Sequence, residues 1–402
     1  MKATSSSSPR RYARFCGIDI AKNKHVACVI DRDGDAIVKS QTFNNDAAGY
    51  QLILDRLQDA GGPRRIAVAM EATGHYWYGV HDFLIRHGYE VAVLNPLQTA
   101  QQAKKGIRKT QTDRIDARHI AMLLKNGEGR AALVPGELGM TCRQLSRLYY
   151  TMVSQEARIK QLLWTQLHPI WPEYEPLFAN PFCKTSRALL QTATTPQEIL
   201  DLPSETLHEL IRKTSRGKYG PAMVEKIRQA AENSVGMRRG LEAARTNVRL
   251  LLDQIEALRP IRQQLETNIR NLADRLPAYL LTLPGISSIT AVSLFGETDP
   301  VEAFTSPGKL VAFAGLDPVV SQSGEPTAQE PRRRISKRGS PFLRKTLWTM
   351  TFRAIQQEGE LREYWLRKRR KGAHHCAAVT ATSVKLCHVI WRIMIDCRDY
   401  LP

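Results

Sequence analysis

The stretch that most restricts what this chain can fold into lies in its first third. Residues 13–20, ARFCGIDI, form a compact apolar run that closes on an aspartate. KHVACVID and AIVKSQTFN follow, separated by the turn sequence DRDGD. Three β-rich runs with one turn signal predict an antiparallel meander. Asn45 to Ala60 carries apolar residues at Tyr50, Leu52, Ile53, Leu54 and Leu57, which predicts a helix ended by Gly61-Gly62-Pro63. RIAVAME is the next buried strand, and it ends in Glu71. A helix from His75, the strand EVAVLN and a helical region beyond Pro96 complete an α/β alternation. Thr112 to Leu124 is expected to be a helix with Asp113 and Asp116 three apart, on one face.

The acids in this pattern carry the chemistry. Asp19 and Glu71 fall at the ends of strands that would be buried, where a charge is costly unless paired or bound to a cation. Asp113 and Asp116 project from a helix that can pack beside the same sheet edge. Hard carboxylate oxygens so placed suit Mg²⁺ (or Mn²⁺); the former takes few protein carboxylates and fills its shell with water and phosphate oxygens. Two such ions would polarise a phosphate and stabilise the charge that develops during displacement. Each acid alone has an ordinary explanation: a helix start for Asp113, a pair with Arg118 or His119 for Asp116, a turn for Asp19, a cap for Glu71. All four, in this order on this element pattern, favour a metal site.

Charge points to the substrate class. Against 39 acidic residues stand 58 Lys and Arg, a net charge of +19 that sits in clusters, as expected of a protein with a polyanionic partner. The 402 residues suffice for two or three domains, and 43% hydrophobic content is ample for packed cores. Seven scattered cysteines make a reduced, intracellular protein the default. The opening residues MKATSSSSPRRYAR have no apolar core segment and read as a disordered basic arm (1–13) rather than a secretory signal. No apolar segment approaches the ~18 residues of a membrane span, so no membrane partner is expected. The expected setting is cytoplasmic, in contact with nucleic acid.

In the middle of the chain, Arg143 to Leu167 has a heptad-like stripe at Leu145, Leu148, Met152, Ile159 and Leu162. A second long helix is expected over about Leu241 to Leu276, kinked or divided at Pro260. The two predict an antiparallel pair or an oligomerisation coiled coil. Between them, residues 174–238 read as a helical insertion, with a capping-box start at Thr195-Pro196-Gln197-Glu198 and helices at Ser204 to Lys213 and Met223 to Asn233. Its cations Arg212, Lys213, Arg216 and Lys218 fit nucleic acid or a solvated face equally.

The last third adds a hydroxyl. LLTLPGISSITAVSLFGE resembles the first half of a helix-hairpin-helix, whose turn offers backbone N–H groups to phosphate; a plain packing corner is the alternative. The apolar run Leu310 to Ala314 ends at Gly315 and opens a loop holding Ser321 and Ser323. Arg332, Arg333, Arg334, Lys337 and Arg338 follow, cations fit to bind flanking phosphates or to form a solvated basic patch. Ser340-Pro341 starts a helix, LRKRRKGAHH is a basic connector, and a closing helix runs from Ala377 to Met394. His374, His375, Cys376, Cys387 and His388 match no usual structural zinc spacing.

G-I-D-I-A-K at 17–22, M-E-A-T-G at 70–74 and T-D-R-I-D-A-R at 112–118 resemble the three signatures of the DEDD insertion-sequence transposases, a family related to Piv-type DNA invertases. LPGI, FAGLDP, the Ser-Gly pair and ISKRG resemble that family's C-terminal domain. The resemblance implies an α/β RNase H-like (RuvC-like) domain over 14–130 with Asp19, Glu71, Asp113 and Asp116 as metal ligands. The two long helices predict a coiled-coil region over 137–278, with an insertion that compact family members lack, and the resemblance implies a mostly α transposase domain over 279–402. Aligned on FAGLDP and the Ser-Gly pair, the family's nucleophile, which links covalently to DNA, falls on Ser323; Ser321 lies two residues earlier. A structured noncoding bridge RNA, donor and target DNA, a homo-oligomer (a tetramer built from dimers) and a prokaryotic, nucleoid-associated setting are implied in the same way. Two rivals stand beside this: a metal-dependent nuclease of the Holliday-junction kind using water, and a non-enzymatic architectural nucleic-acid-binding protein.

Overall fold

In the computed structural model, which describes residues 11–94, 113–128, 133–319 and 334–401, the chain divides into two units: Met1–Glu137 with Thr298–Thr305, and Leu138–Glu297 with Ser306–Pro402.

Alternation of apolar residues builds the first unit. Strands β1 (Arg14–Asp19), β2 (Lys24–Asp31) and β3 (Ala36–Asn44) form the expected meander, and β4 (Ile66–Glu71) and β5 (Glu90–Leu94) extend it. The sheet order is β3-β2-β1-β4-β5. β1 runs antiparallel to β2 with Asp19 opposite Val26, and parallel to β4 with Ile18 opposite Met70. β5 is parallel to β4. This mixed sheet is compatible with an RNase H-like domain. The turn between β2 and β3 is held by Asp31, whose Oδ1 accepts from the N–H groups of Asp33, Gly34 and Asp35.

The period of two splits the sheet into faces. Ile18, Val68 and Met70 pack against helices α1 (Ala47–Asp59) and α2 (Trp77–Arg86), through Ile53, Leu57, Val80 and Leu84. Each such buried side chain contributes about 1.5–3 kcal/mol. Phe15, Val26, Ile30 and Ala67 face the other way, against Ala117 and Ala121 of α3 (Asp113–Asn126), and Ala69 meets Ile120 and Leu123. Gly17 sets how closely α3 lies on β1, since a Cβ there would stand 2.1 Å from the carbonyl oxygen of Ala117. Gly17→Ala should therefore lift α3 and lower stability by about 1–3 kcal/mol. Urea unfolding measures this, and an unchanged midpoint would contradict the close packing.

In the second unit, α4 (Glu137–Leu167) and α9 (Leu241–Ala273) are the two long helices. Arg262 pairs with Glu156 at 3.2 Å and Asn247 donates to Gln166 at 3.0 Å. Higher numbers on one helix meet lower numbers on the other, so the pair is antiparallel within one chain. Pro260 does not divide α9. The heptad stripe is not the buried face throughout: Leu148 and Leu162 are about half exposed, while Cys142, Ser146 and Tyr150 are buried.

The insertion has its own core. Helices α5 (Lys184–Thr192), α6 (Pro196–Asp201), α7 (Ser204–Ser215) and α8 (Pro221–Glu232) pack around Trp171, Tyr174, Leu189, Ile199, Ile211 and Ile227, together with Val248 and Leu252 of α9. The capping box forms as expected: Thr195 accepts from the Glu198 N–H while Glu198 accepts from that of Thr195.

Toward the C-terminus come α10 (Ser288–Thr298), α11 (Pro307–Phe313), the short strands β6 (Pro318–Val319) and β7 (Arg334–Ile335), α12 (Pro341–Ala354), α13 (Glu360–Arg370) and α14 (His375–Asp396). At the LPGI turn Gly285, with φ 72°, packs closely on α12, since a Cβ there would meet the carbonyl of Met350 at 2.0 Å. The basic run LRKRR forms helix α13 rather than a connector. By length and composition α14 could cross a membrane, contrary to the sequence expectation; its buried residues Val379, Leu386, Ile390 and Ile393 and its packing against α11, α12 and α13 are those of a core helix.

Candidate active site

The four acids follow from strand ends and helix pitch. On β1, Phe15 and Gly17 face α3, so Asp19, two residues on, lies on that same face at the strand's C-terminal end. On β4, Ala67 and Ala69 face α3, so Glu71 does likewise. β1 and β4 are parallel neighbours, and both acids follow the paired residues Ile18 and Met70. They therefore stand side by side at one edge of the sheet, each partly buried.

Helix α3 runs toward that edge with its N-terminus. Ala117 and Ala121 lie over Gly17, whereas Met122 and Lys125 lie by Gly34, in the β2–β3 turn beside the start of β1. Residues before Ala117 thus extend toward the Asp19 end. Asp116 is half-buried one turn before Ile120, and Asp113 begins the helix. Arg118, which could have neutralised Asp116, donates instead to the Gly34 carbonyl at 3.1 Å. Among the described residues no three His, Cys, Asp or Glu side chains gather as a cage. The Asp113 side chain lies outside the described residues. The donor set is all carboxylate, and Mg²⁺ needs only one or two carboxylates beside water and phosphate oxygens. The donor chemistry fits such an ion.

Ser321 and Ser323 lie outside the described residues, as do Arg332, Arg333 and the region beyond Pro96. The neck from which the serine loop springs is described. Apolar residues 310–313 end helix α11, with Leu310 and Val311 buried, and Gly315 turns the chain at φ 65°. β6 and β7 pair antiparallel, Val319 opposite Arg334, so the loop's two ends leave side by side. Backbone bonds from Lys337 to Gly315 (3.0 Å), Ser336 to Asp317 (2.8 Å) and Ser340 to Phe313 (2.7 Å) clasp ISKRG to FAGLDP. Gly339 is needed in this clasp, since a Cβ would meet the Phe313 carbonyl at 1.8 Å. Lys337 adopts the left-handed conformation, φ 54°, at a cost of about 1–2 kcal/mol. Arg334, Lys337 and Arg338 are exposed around the neck.

Comparison with known proteins bears on both regions. A transposase family model of the DEDD IS110 type matches residues 16–172, and a second, for the IS116/IS110/IS902 transposase family, matches 278–366. The chain belongs to the IS110/IS116 transposase family. Its relatives include the 44.8 kDa protein of insertion element IS116 from Streptomyces clavuligerus, 24% identical over 98% of each chain. The 42 kDa protein of insertion element IS900 from Mycobacterium paratuberculosis is also 24% identical, over 96% of this chain and 97% of its own. The pilin gene-inverting protein of Moraxella lacunata is 36% identical over 26% of this chain and 31% of its own.

Within this transposase the first family match covers all four acids and the second covers the hairpin neck and Ser323. The structure adds a buried polar node that sequence patterns do not show. Glu297, at the end of α10, is fully buried and accepts from Arg147 of α4 at 2.6 and 3.0 Å and from the Ser340 hydroxyl at 2.7 Å. Ser340 also caps α12, accepting from the Leu343 N–H at 3.1 Å. One carboxylate thereby ties the long helix to the residue directly after ISKRG. Its partners lie 150 and 43 residues away in sequence, so no local motif signals it. Arg147→Ala would leave Glu297 short of its cation and destabilise the second unit by about 2–3 kcal/mol, less than a fully buried pair because Arg147 is partly exposed. Thermal unfolding reads this loss, and an unshifted transition would contradict a structural role for the pair.

His374, His375 and Cys387 have other surroundings. His374 accepts from the Cys376 N–H at the start of α14, His375 stands edge-on to Phe352 and Trp365, and burial pushes the Cys387 thiol up to about 12.

Proposed function

We propose that this transposase cuts and rejoins DNA through a serine–DNA phosphodiester, with Mg²⁺ (or Mn²⁺) held by Asp19, Glu71, Asp113 and Asp116. In the first step the Ser323 oxygen attacks the scissile phosphorus. The bond to the leaving deoxyribose oxygen breaks, and that oxygen takes up a proton while the serine loses one. In the second step a strand hydroxyl attacks the phosphoserine and releases the serine, so phosphodiester bonds are conserved and no external energy source is needed. Bound ions would neutralise phosphate oxygens and ease ionisation of the attacking hydroxyl. Arg332, Arg333, Arg334, Lys337 and Arg338 bind the flanking phosphates.

The observation that carries this reading is the convergence of Asp19, Glu71 and the start of α3 at one edge of a mixed sheet. The antiparallel clasp at the base of the serine loop supports it, because it fixes the stem from which that loop springs. Likeness to a protein named for inverting a pilin gene favours rejoining over simple cutting by water. The RNA guide rests on the family resemblance and agrees with a net charge of +19. Strand exchange between two duplexes further calls for a homo-oligomer. The test is a strand-transfer assay on donor and target DNA, with RNA from the flanking noncoding sequence supplied or withheld. Products that require both the RNA and Mg²⁺ are expected. Products formed equally without RNA would contradict the guided reading.

A further inference from the structure

Helix α12 carries an aromatic stripe on its solvent side. Trp348 and Phe352, one turn apart, are each 39% exposed, and their rings are stacked at 5.6 Å and nearly parallel (7°). His375, at the start of α14, meets Phe352 edge-on at 6.3 Å and Trp365 of α13 at 5.8 Å. The indole N–H of Trp365 has no partner among the described residues. Helical pitch buries Leu347, Met350 and Thr351 and leaves this stripe outward, so the core does not account for it.

Cations flank the rings along α12 and α13: Lys345, whose ammonium lies 4.7 Å over the Tyr150 ring, stands one turn before Trp348, and Arg362 and Arg369 stand one turn before and after Trp365. Arg369 donates to the Ala373 carbonyl at 2.7 Å, two residues before His375 in sequence. Of the acids of α13, Glu360 is engaged with Lys385 at 3.1 Å and Glu363 is exposed, next to Arg362 in sequence. The stripe begins about 12 Å along the helix from the capping residue Ser340, which directly follows the serine hairpin. Flat aromatic faces with an excess of cations on the helices that carry them match unstacked bases joined by phosphates.

We infer that Trp348 and Phe352 form a stacking platform for the unpaired bases of a DNA strand leaving the cleavage site, with Lys345, Arg362 and Arg369 holding its phosphates. This rests on the recombination proposed above, in which a cut strand must leave its duplex. DNA is the assigned strand because the platform continues from the hairpin whose substrate is DNA.

The test uses the full chain and a fluorescein-labelled, mixed-sequence single-stranded DNA of 12 nucleotides (~12, to span an OB-sized site), read by anisotropy at fixed salt. Trp348→Ala with Phe352→Ala should weaken single-strand affinity by about tenfold or more, the scale of lost base stacking, with duplex affinity within about twofold. Trp348→Tyr, which keeps a stacking face, should retain most of the affinity. Both side chains are exposed, and circular dichroism melting checks that the fold is kept. Unchanged single-strand binding, an equal loss on duplex, or a loss confined to RNA of the same sequence would overturn the platform. So would unchanged strand binding with a smaller species in sedimentation, which would assign the rings to a contact between copies. A wild type that binds the strand through Trp348 but never cleaves DNA would contradict the recombinase reading and support the platform. An active enzyme whose ring variants bind normally would contradict the platform alone.

Discussion

Ser323→Ala is expected to abolish strand transfer, with a fall of at least about 10³-fold, or roughly 4 kcal/mol of transition-state stabilisation. The reason is chemical: the covalent link needs an oxygen nucleophile, and no other group in the mechanism takes its place. Ser321→Ala should keep activity within about an order of magnitude, since it removes only a neighbouring hydroxyl. The pair separates the two serines directly in a strand-transfer assay. Loss with Ser321→Ala and retention with Ser323→Ala would move the nucleophile by two residues. Retention in both, with metal-dependent cleavage intact, would favour water as the attacking group.

The second large effect concerns the acids. Asp19→Ala and Glu71→Ala should each reduce cleavage by at least about 10²–10³-fold, because in the proposed mechanism the ions that neutralise the phosphate would lose a ligand. DNA binding should persist, since the cations that hold the phosphates are untouched. Isothermal titration with Mg²⁺ or Mn²⁺ offers a readout independent of activity: both variants should bind the metal more weakly than the wild type. Full activity in either variant, with nucleic acid still bound, would instead support an architectural protein.

Much of the first unit was legible because its strands are apolar runs bounded by turn residues, and each of two strands closes on an acid. DRDGD marked a turn, and Asp31 organises it with three backbone bonds. Local capping chemistry was equally readable at Thr195 and Ser340, since a cap and its partner are three residues apart. What escaped was set by distance or by competition. LRKRR looks like a solvated run, yet its residues are good helix formers and Leu361 and α14 give them a packing partner. Pro260 was expected to kink or divide α9, but the helix runs on through it; the face at 257, 260 and 261 is exposed there, away from the packed stripe of Ile255 and Leu265.

Of the candidate site, motif order and strand ends singled out the acids, whereas the side-by-side placement of Asp19 and Glu71 came from the parallel pairing of β1 and β4. Gly17 was invisible as a spacer until α3 was seen lying on it. The Glu297 node and the exposed pair Trp348 and Phe352 had no local signature, because both depend on which helices become neighbours.

The central claim is a covalent serine–DNA intermediate, and mass spectrometry of the trapped complex tests it most directly. Wild-type protein incubated with a nicked DNA substrate, Mg²⁺ and the flanking RNA, then digested with protease and nuclease, should yield one peptide bearing a nucleotide on Ser323. That adduct should be missing from Ser323→Ala. An adduct that persists in that variant, or cleaved DNA with no adduct on any serine, would contradict the serine mechanism.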